Sequence, residues 1–405
     1  MRLAVIIAEY NPFHKGHAAL VQAVRRAGAT HVAAVMSGCF VQRGDAACLS
    51  KWARTRQALA CGVDLVAELP VPWAVSGAEC FARGGVALAD ALGADVLAFG
   101  SECGNAAALQ RLAGLLCGSA AGEALHGYLS QGMAFAAARE RAVANLAGEK
   151  AAVLLRQPNN ILGIEYCKAM QAQHTQMACF TVSRQGAAHD SPAESPTPSA
   201  SRVRSLLESG GVWETALPAA SAAVVRTELA QGRAPASLQQ VERAVLYCLR
   251  TLPEAAYHAL PDVSEGLENR LRSAARCAGS MEELYAAAKT KRYSHARIRR
   301  LALSAFLGLR EKDAVGTPPY LRILGFGAQG RAVLARAAQK GALPLLTRTS
   351  DSRILDSRGK NVVELENRAA DVWALCCPRP APSGLDRTTG ILVFEKGCVD
   401  TWGSK

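Results

Sequence analysis

The sequence predicts an α/β protein. A Rossmann-like, doubly wound parallel sheet fills residues 1–210, and a mainly helical half follows at 211–405. Three observations carry this reading. Short continuous apolar runs alternate with helix-length segments in the first half. Those runs lack polar alternation, the mark of strands covered on both faces. Beyond about residue 210 the apolar spacing becomes helical.

The first run, Leu3–Ala8 (LAVIIA), reads as a strand buried on both faces. His31–Met36, Asp64–Leu69 and Ala94–Phe99 read the same way, with helices near Gly16–Ala27, Ser50–Cys61 and Gly77–Leu92 between them. A fifth strand is expected at Met177–Ser183. The segment HDSPAESPTPSAS after it is rich in Pro and Ser and reads as a loop. Ser199–Leu207 opens a helix with a serine cap, which places a boundary near residue 210. In the second half Val241, Val245, Cys248 and Leu249 recur at helical spacing, as do Ile298, Leu301, Ala302, Ala305 and Leu309. A different pattern begins at Tyr320 (YLRILGFGAQGR), and 347–361 reads as loop-rich.

A chain of 405 residues that is 50% hydrophobic can bury two or three cores. No stretch reaches the ~18 apolar residues of a membrane helix, and the N-terminal apolar run is too short for a signal peptide, so no membrane association and a cytoplasmic location are expected. Thirteen scattered cysteines without a C-x-x-C pair suggest free buried thiols and no structural metal. The net charge of +12 is uneven: residues 1–210 hold 18 Lys/Arg against 15 Asp/Glu, whereas 211–405 hold 28 against 19. A polyanion is the simplest partner for the basic second half; a solvated basic surface is the alternative.

The strongest motif is EYNPFHKGH, Glu9–His17, between the first strand and the first helix. Pro12 forces a turn, and Gly16 lets backbone approach a ligand. His14 and His17 are three apart and share one helical face. The helix N-terminus adds N–H groups and partial positive charge, an anion site where imidazoles can stabilise a transferring phosphate. Histidines that merely cap a helix are the alternative.

This turn resembles the HxGH signature of the nucleotidyltransferase superfamily, which includes class I aminoacyl-tRNA synthetases and the pantetheine-phosphate and nicotinate-mononucleotide adenylyltransferases. Further blocks resemble one family, the bacterial tRNA(Met) cytidine acetate ligases: MSGCFVQRGDAACLSKWAR, FGSE, RQPNNILGIEYCKAM, SRQGAAHD, SASRVR, KTKRYSHARIRRL and YLRILGFGAQGR, in order along nearly the whole chain. Cys39 in the SGxF block and the HDSPAESPTPSA segment depart from it in detail.

The resemblance implies activation of acetate by ATP through acetyl-adenylate, with release of pyrophosphate. The acetyl group then passes to the wobble cytidine of elongator tRNA(Met), giving 4-acetylcytidine. It implies Mg²⁺ with the nucleotide and no obligate protein partner. It also implies ATP contacts at Ile7, Ala8, Glu9, Tyr10, Asn11, Pro12, Phe13, His14, Lys15, Gly16, His17, Leu20, Gly100, one of Asn159 and Asn160, and Arg184. Arg204 stands where many relatives carry an ISSTxxR block that holds phosphates; the serines there also suit a helix cap.

Read from the residues, Gly100 ends a strand where a purine could pack on bare backbone. Asn159 and Asn160 can serve a base edge or cap the following helix, and Arg184 can pair with a phosphate or with a surface acid. Arg43 and Lys51 beside Trp52 suit RNA or phosphate, unless Trp52 is core. Lys289, Lys291, Arg292, Arg297, Arg299 and Arg300 form a run with Tyr293 and no acid, a candidate tRNA contact on a unit separate from the nucleotide site. A small-molecule adenylyltransferase of cofactor synthesis shares the HxGH turn but needs no basic annex.

Overall fold

The computed structural model describes residues 1–184, 199–264, 266–290, 292–395 and 398–402. Most of HDSPAESPTPSAS, and Lys291, lie outside them. The strands are β1 (Leu3–Ala8), β2 (His31–Ser37), β3 (Phe40–Val41), β4 (Asp45–Ala46), β5 (Leu65–Leu69), β6 (Val96–Ser101), β7 (Ala178–Ser183), β8 (Leu321–Gly327), β9 (Leu345–Leu346), β10 (Ile391–Glu395) and β11 (Cys398–Trp402). β3 and β4 form a separate hairpin. The others form one sheet, in the order β11-β10-β8-β5-β2-β1-β6-β7 with β9 beside β8, among the described residues.

The five expected strands pair in parallel, β5-β2-β1-β6-β7. β1 is central: Ile6 aligns with Ala34 on one side and Ala98 on the other. Its continuous apolar run is required because neighbours and helices cover both faces. Strand order reverses between β1 and β6, so the crevice at their carboxyl ends is the ligand position of this sheet class.

The second half is mainly helical, but residues 321–402 return to the sheet. β8 runs antiparallel to β5, with Glu68 aligned to Arg322, and β10 and β11 extend the edge. The region expected as loop at 347–361 contains a 3₁₀ turn, Thr349–Ile354, and the start of a long helix, Ser357–Leu375, whose cap is the Asp356 carboxylate.

A knot of buried charge joins the two halves. Lys51 Nζ lies 2.6 Å from Glu68 Oε1 and 2.5 Å from Asp386 Oδ1; Arg322 Nη1 lies 2.5 Å from Asp386 Oδ2 and 3.3 Å from Glu68 Oε2. A third carboxylate, Glu366, is 3.8 Å from Lys51. Burial and neighbouring Glu68 push its carboxyl well above the usual range. Two cations thus face three carboxyl groups. Lys51 is therefore not the surface RNA contact its sequence context suggested, and Trp52 beside it is core. Removing one partner of such a set costs about 3–5 kcal/mol, because the remaining charge stays buried.

No helix among the described residues is long and apolar enough to cross a membrane. The twelve cysteines with described side chains are free thiols; contrary to the expected burial, five are half-buried and Cys117 and Cys277 are exposed.

Candidate active site

β1 delivers the chain into a tight turn in which Tyr10 adopts φ 48°, a left-handed conformation unfavourable for a residue with a side chain. Packing holds it there. The Tyr10 ring lies 4.8 Å from Phe13 and 4.9 Å from His17. Ile7, Tyr10, Phe13 and Leu20 are core residues, so they can meet a ligand chiefly through backbone, whereas Lys15 is exposed.

His14 caps the helix Lys15–Arg26. Its Nδ1 accepts the Gly16 N–H at 3.0 Å, while His17 Nδ1 accepts the His14 N–H at 3.2 Å. The Gly16 N–H expected to face an anion is thus already engaged. The capping and chemical readings are not rivals. With both Nδ1 atoms accepting, each neutral ring must carry its proton on Nε2. The side-chain hydrogen bonds of both rings engage Nδ1. The rings stack with centroids 3.8 Å apart. Burial, then Arg184 and Arg204, lowers the His14 pKa to about 3. Burial, then His14 and Arg184, holds His17 well below its ordinary value. Both rings are uncharged donors at pH 7.

Arg184 and Arg204 come from distant parts of the chain to flank these rings. Arg204 Nη1 donates to the Asn11 carbonyl at 2.9 Å, and its Nη2 to Ser201 Oγ at 3.2 Å, which also receives Arg43 Nη1 at 3.2 Å. Ser199, not Ser201, caps that helix. Arg184 Nη1 donates to Asn159 Oδ1 at 2.7 Å, and its stem crosses Gly100, where a Cβ would come within 3.1 Å of Cγ.

The two asparagines separate. Asn160 is buried, and its Oδ1 accepts the Cys103 N–H at 3.1 Å, a structural role. Asn159 is half-buried beside Arg184. Neither side chain caps the helix Pro158–Ala172. Glu102 does, accepting the N–H groups of Asn159 at 3.2 Å and Asn160 at 2.7 Å, and Asn159 Nδ2 at 2.6 Å.

Several positioning residues escaped the sequence reading. Arg54, fully buried, donates to the carbonyls of Glu9 (2.6 Å), Ser37 (3.0 Å), Leu49 (3.1 Å) and Gly38, fastening the carboxyl ends of β1 and β2. Gln57 Oε1 accepts the Phe13 N–H at 3.3 Å, and Ser221 Oγ donates to the Phe13 carbonyl at 2.6 Å. The available signal was polar residues on the apolar faces of the helices Lys51–Ala60 and Ala219–Ala230.

The basic run is not remote from this turn. Gly44, at φ 74°, lies so close to the helix His295–Leu307 that a Cβ would collide with the Arg300 backbone nitrogen. Arg300 Nη1 reaches the Gln42 carbonyl at 3.4 Å, and the Gln42 N–H donates to Glu9 Oε1 at 2.9 Å. The β3–β4 hairpin therefore links the run directly to the HxGH turn, contrary to the separate unit expected. Arg297 and Arg300 are committed to Asp262, at 3.4 and 3.2 Å. Lys289 Nζ donates to the Tyr293 carbonyl at 2.8 Å. Arg292 and Arg299 are exposed, and Lys291 lies outside the described residues.

A switch-point crevice in a parallel sheet, edged by paired imidazoles and two arginines, defines a nucleotidyltransferase of the HxGH type. The model of the HIGH Nucleotidyl Transferase family matches residues 1–387. The tRNA(Met) cytidine acetate ligase of Syntrophomonas wolfei is 38% identical, covering 96% of this chain and 99% of its own length. That of Syntrophotalea carbinolica is 40% identical, covering 93% and 95%. The crystal structure of Thermotoga maritima TmcAL in its apo form superposes with a TM-score of 0.92 at 31% identity, over 97% of this chain and all of that one. The same protein bound with alpha-thio ATP gives 0.91 at 30% identity. The chain belongs to the tRNA(Met) cytidine acetate ligase family.

Proposed function

We propose that this protein, a ligase by its family, joins acetate to the wobble cytidine of elongator tRNA(Met) at the expense of ATP. The observation that carries the reading is the pair of Nε2–H donors beside Arg184 and Arg204, linked through the β3–β4 hairpin to a basic helix. A catalyst of this kind works by holding phosphates and donating hydrogen bonds where charge develops. An acetate oxygen attacks the α-phosphorus of ATP, the bond to the β-phosphate breaks, and acetyl-adenylate and pyrophosphate form. The cytidine amine then attacks the acetyl carbon, loses a proton and expels AMP.

His14 and His17 donate from Nε2 to the transferring phosphate. Arg184, oriented by Asn159, and Arg204 neutralise the polyphosphate, and Gly100 gives the Arg184 stem room to cross the strand end. Backbone from Ile7 to Leu20 shapes the floor. No group of three metal-ligating His, Cys, Asp or Glu side chains occurs among the described residues, so a Mg²⁺ would be held by the nucleotide's own phosphates. Arg292 and Arg299 meet tRNA phosphates, and the reaction takes place in the cytoplasm. A cofactor-forming adenylyltransferase is not favoured, because the relatives named as tRNA ligases align over nearly the whole chain.

The test is pyrophosphate release with acetate, with and without elongator tRNA(Met), followed by nucleoside analysis of the tRNA. Acetate-dependent release and 4-acetylcytidine are expected. Release with another acid only, or unmodified tRNA, would overturn the reading.

A further inference from the structure

On the far flank of β7 a cavity of about 380 Å³ is lined by Cys167, Met170, His174, Met177 and Cys179. Cys167 Sγ lies 3.6 Å from Cys179 Sγ, which lies 3.4 Å from Met170 Sδ. Cys167 and Met170 are three apart on the helix Pro158–Ala172 and so share a face, while Cys179 projects from the adjacent edge strand.

We propose that Cys167, Cys179 and Met170 form a binding site for a soft, thiophilic cation of the Cu(I) class. The donor chemistry selects it: thiolate and thioether sulfur favour Cu(I) over hard divalent ions. The spacing fits as well. With metal–sulfur bonds of about 2.3 Å, sulfurs 3.4–3.6 Å apart subtend about 100° at a shared ion. Cys167 is buried and Cys179 half-buried, so the cavity supplies the entry path. Binding would release the thiol protons to solvent. An ion here would also tie the helix that carries Asn159 in its first turn to the strand that runs into Arg184. The proposal is independent of the reaction above.

The test uses the reduced full-length chain under nitrogen, titrated against the coloured Cu(I)–bicinchoninate complex. The wild type is expected to withdraw one equivalent and to melt at a higher temperature when loaded. Cys179→Ser, at a half-buried position and checked for folding by circular dichroism, should bind at least 100-fold more weakly, and Met170→Leu about tenfold more weakly. No withdrawal by the wild type would overturn the site. So would unchanged binding by folded Cys179→Ser, which would move the ion to other thiols such as Cys376 and Cys377.

Discussion

The imidazole of His14 rests on the bare α-carbon of Gly16: a Cβ there would lie 2.8 Å from Cε1 and 3.0 Å from Nδ1. The glycine is required by the ring as much as by any ligand. Gly16→Ala should displace His14 and break its cap while leaving the sheet intact. Acetate-dependent pyrophosphate release is expected to fall about 10²-fold, the scale of losing one transition-state donor. Near-normal turnover in a folded variant would show that His14 does not act from this position.

His17→Ala removes the second donor without touching the Gly16 contact. Acetyl-adenylate formation should drop 10²- to 10³-fold, about 3–4 kcal/mol, with the melting temperature nearly unchanged. Rapid-quench measurement of the adenylate decides it; wild-type amounts would remove His17 from the chemistry.

His14 also makes the fold sensitive to acid. Its folded pKa of about 3 lies below the unfolded 6.5, so the unfolded chain binds more protons between these values. Stability is therefore full above pH 6.5 and falls as pH drops towards 3. From pH 7 to pH 5 the loss from this one group should be about 2 kcal/mol. Urea unfolding at both values, compared with His14→Gln, checks it: the variant should show a shallower pH dependence, and equal slopes would refute the account.

The two asparagines should behave differently. Asn159→Ala frees Arg184 and is expected to raise the KM for ATP without changing stability. Asn160→Ala leaves the half-buried Cys103 N–H without its partner and should cost about 1 kcal/mol of stability. Calorimetry with ATP and thermal melts on both variants separate the roles; identical behaviour would contradict the assignment.

Within the basic run, the exposed guanidinium groups should carry the RNA. Arg292→Gln and Arg299→Gln are each expected to lower tRNA affinity and flatten the log–log salt dependence by roughly one unit. Arg297→Gln, whose partner is Asp262, should change the slope less. An equal slope change for all three would mean that Asp262 releases its arginines on binding.

The five parallel strands were legible because each is a continuous apolar run, and only burial on both faces explains such a run. The HxGH turn was legible because its residue types dictate the local geometry. β8 was not: LRILGFG is apolar apart from Arg322, but nothing nearby says that it pairs with a strand some 250 residues earlier. Lys51 was misread for the same reason. A charged residue reads as surface until Asp386 and Arg322 are known to close over it. Glu102 as the helix cap, and Gly44 as the contact to Arg300, also depend on partners remote in sequence.

The antiparallel pairing of β5 with β8 has a consequence for synthesis. While the chain is being made, β5 emerges with one edge unmatched, and its partner follows about 250 residues later. At 5–20 residues per second, that edge stays open for roughly 13–50 seconds on the ribosome. An open, apolar strand edge is a template for pairing with other chains. Lys51 and Glu68 wait equally long for Arg322, and longer for Asp386. The nascent first half should therefore need shielding, and ribosomes stalled before residue 321 should present a chain that chaperones bind and proteases cut.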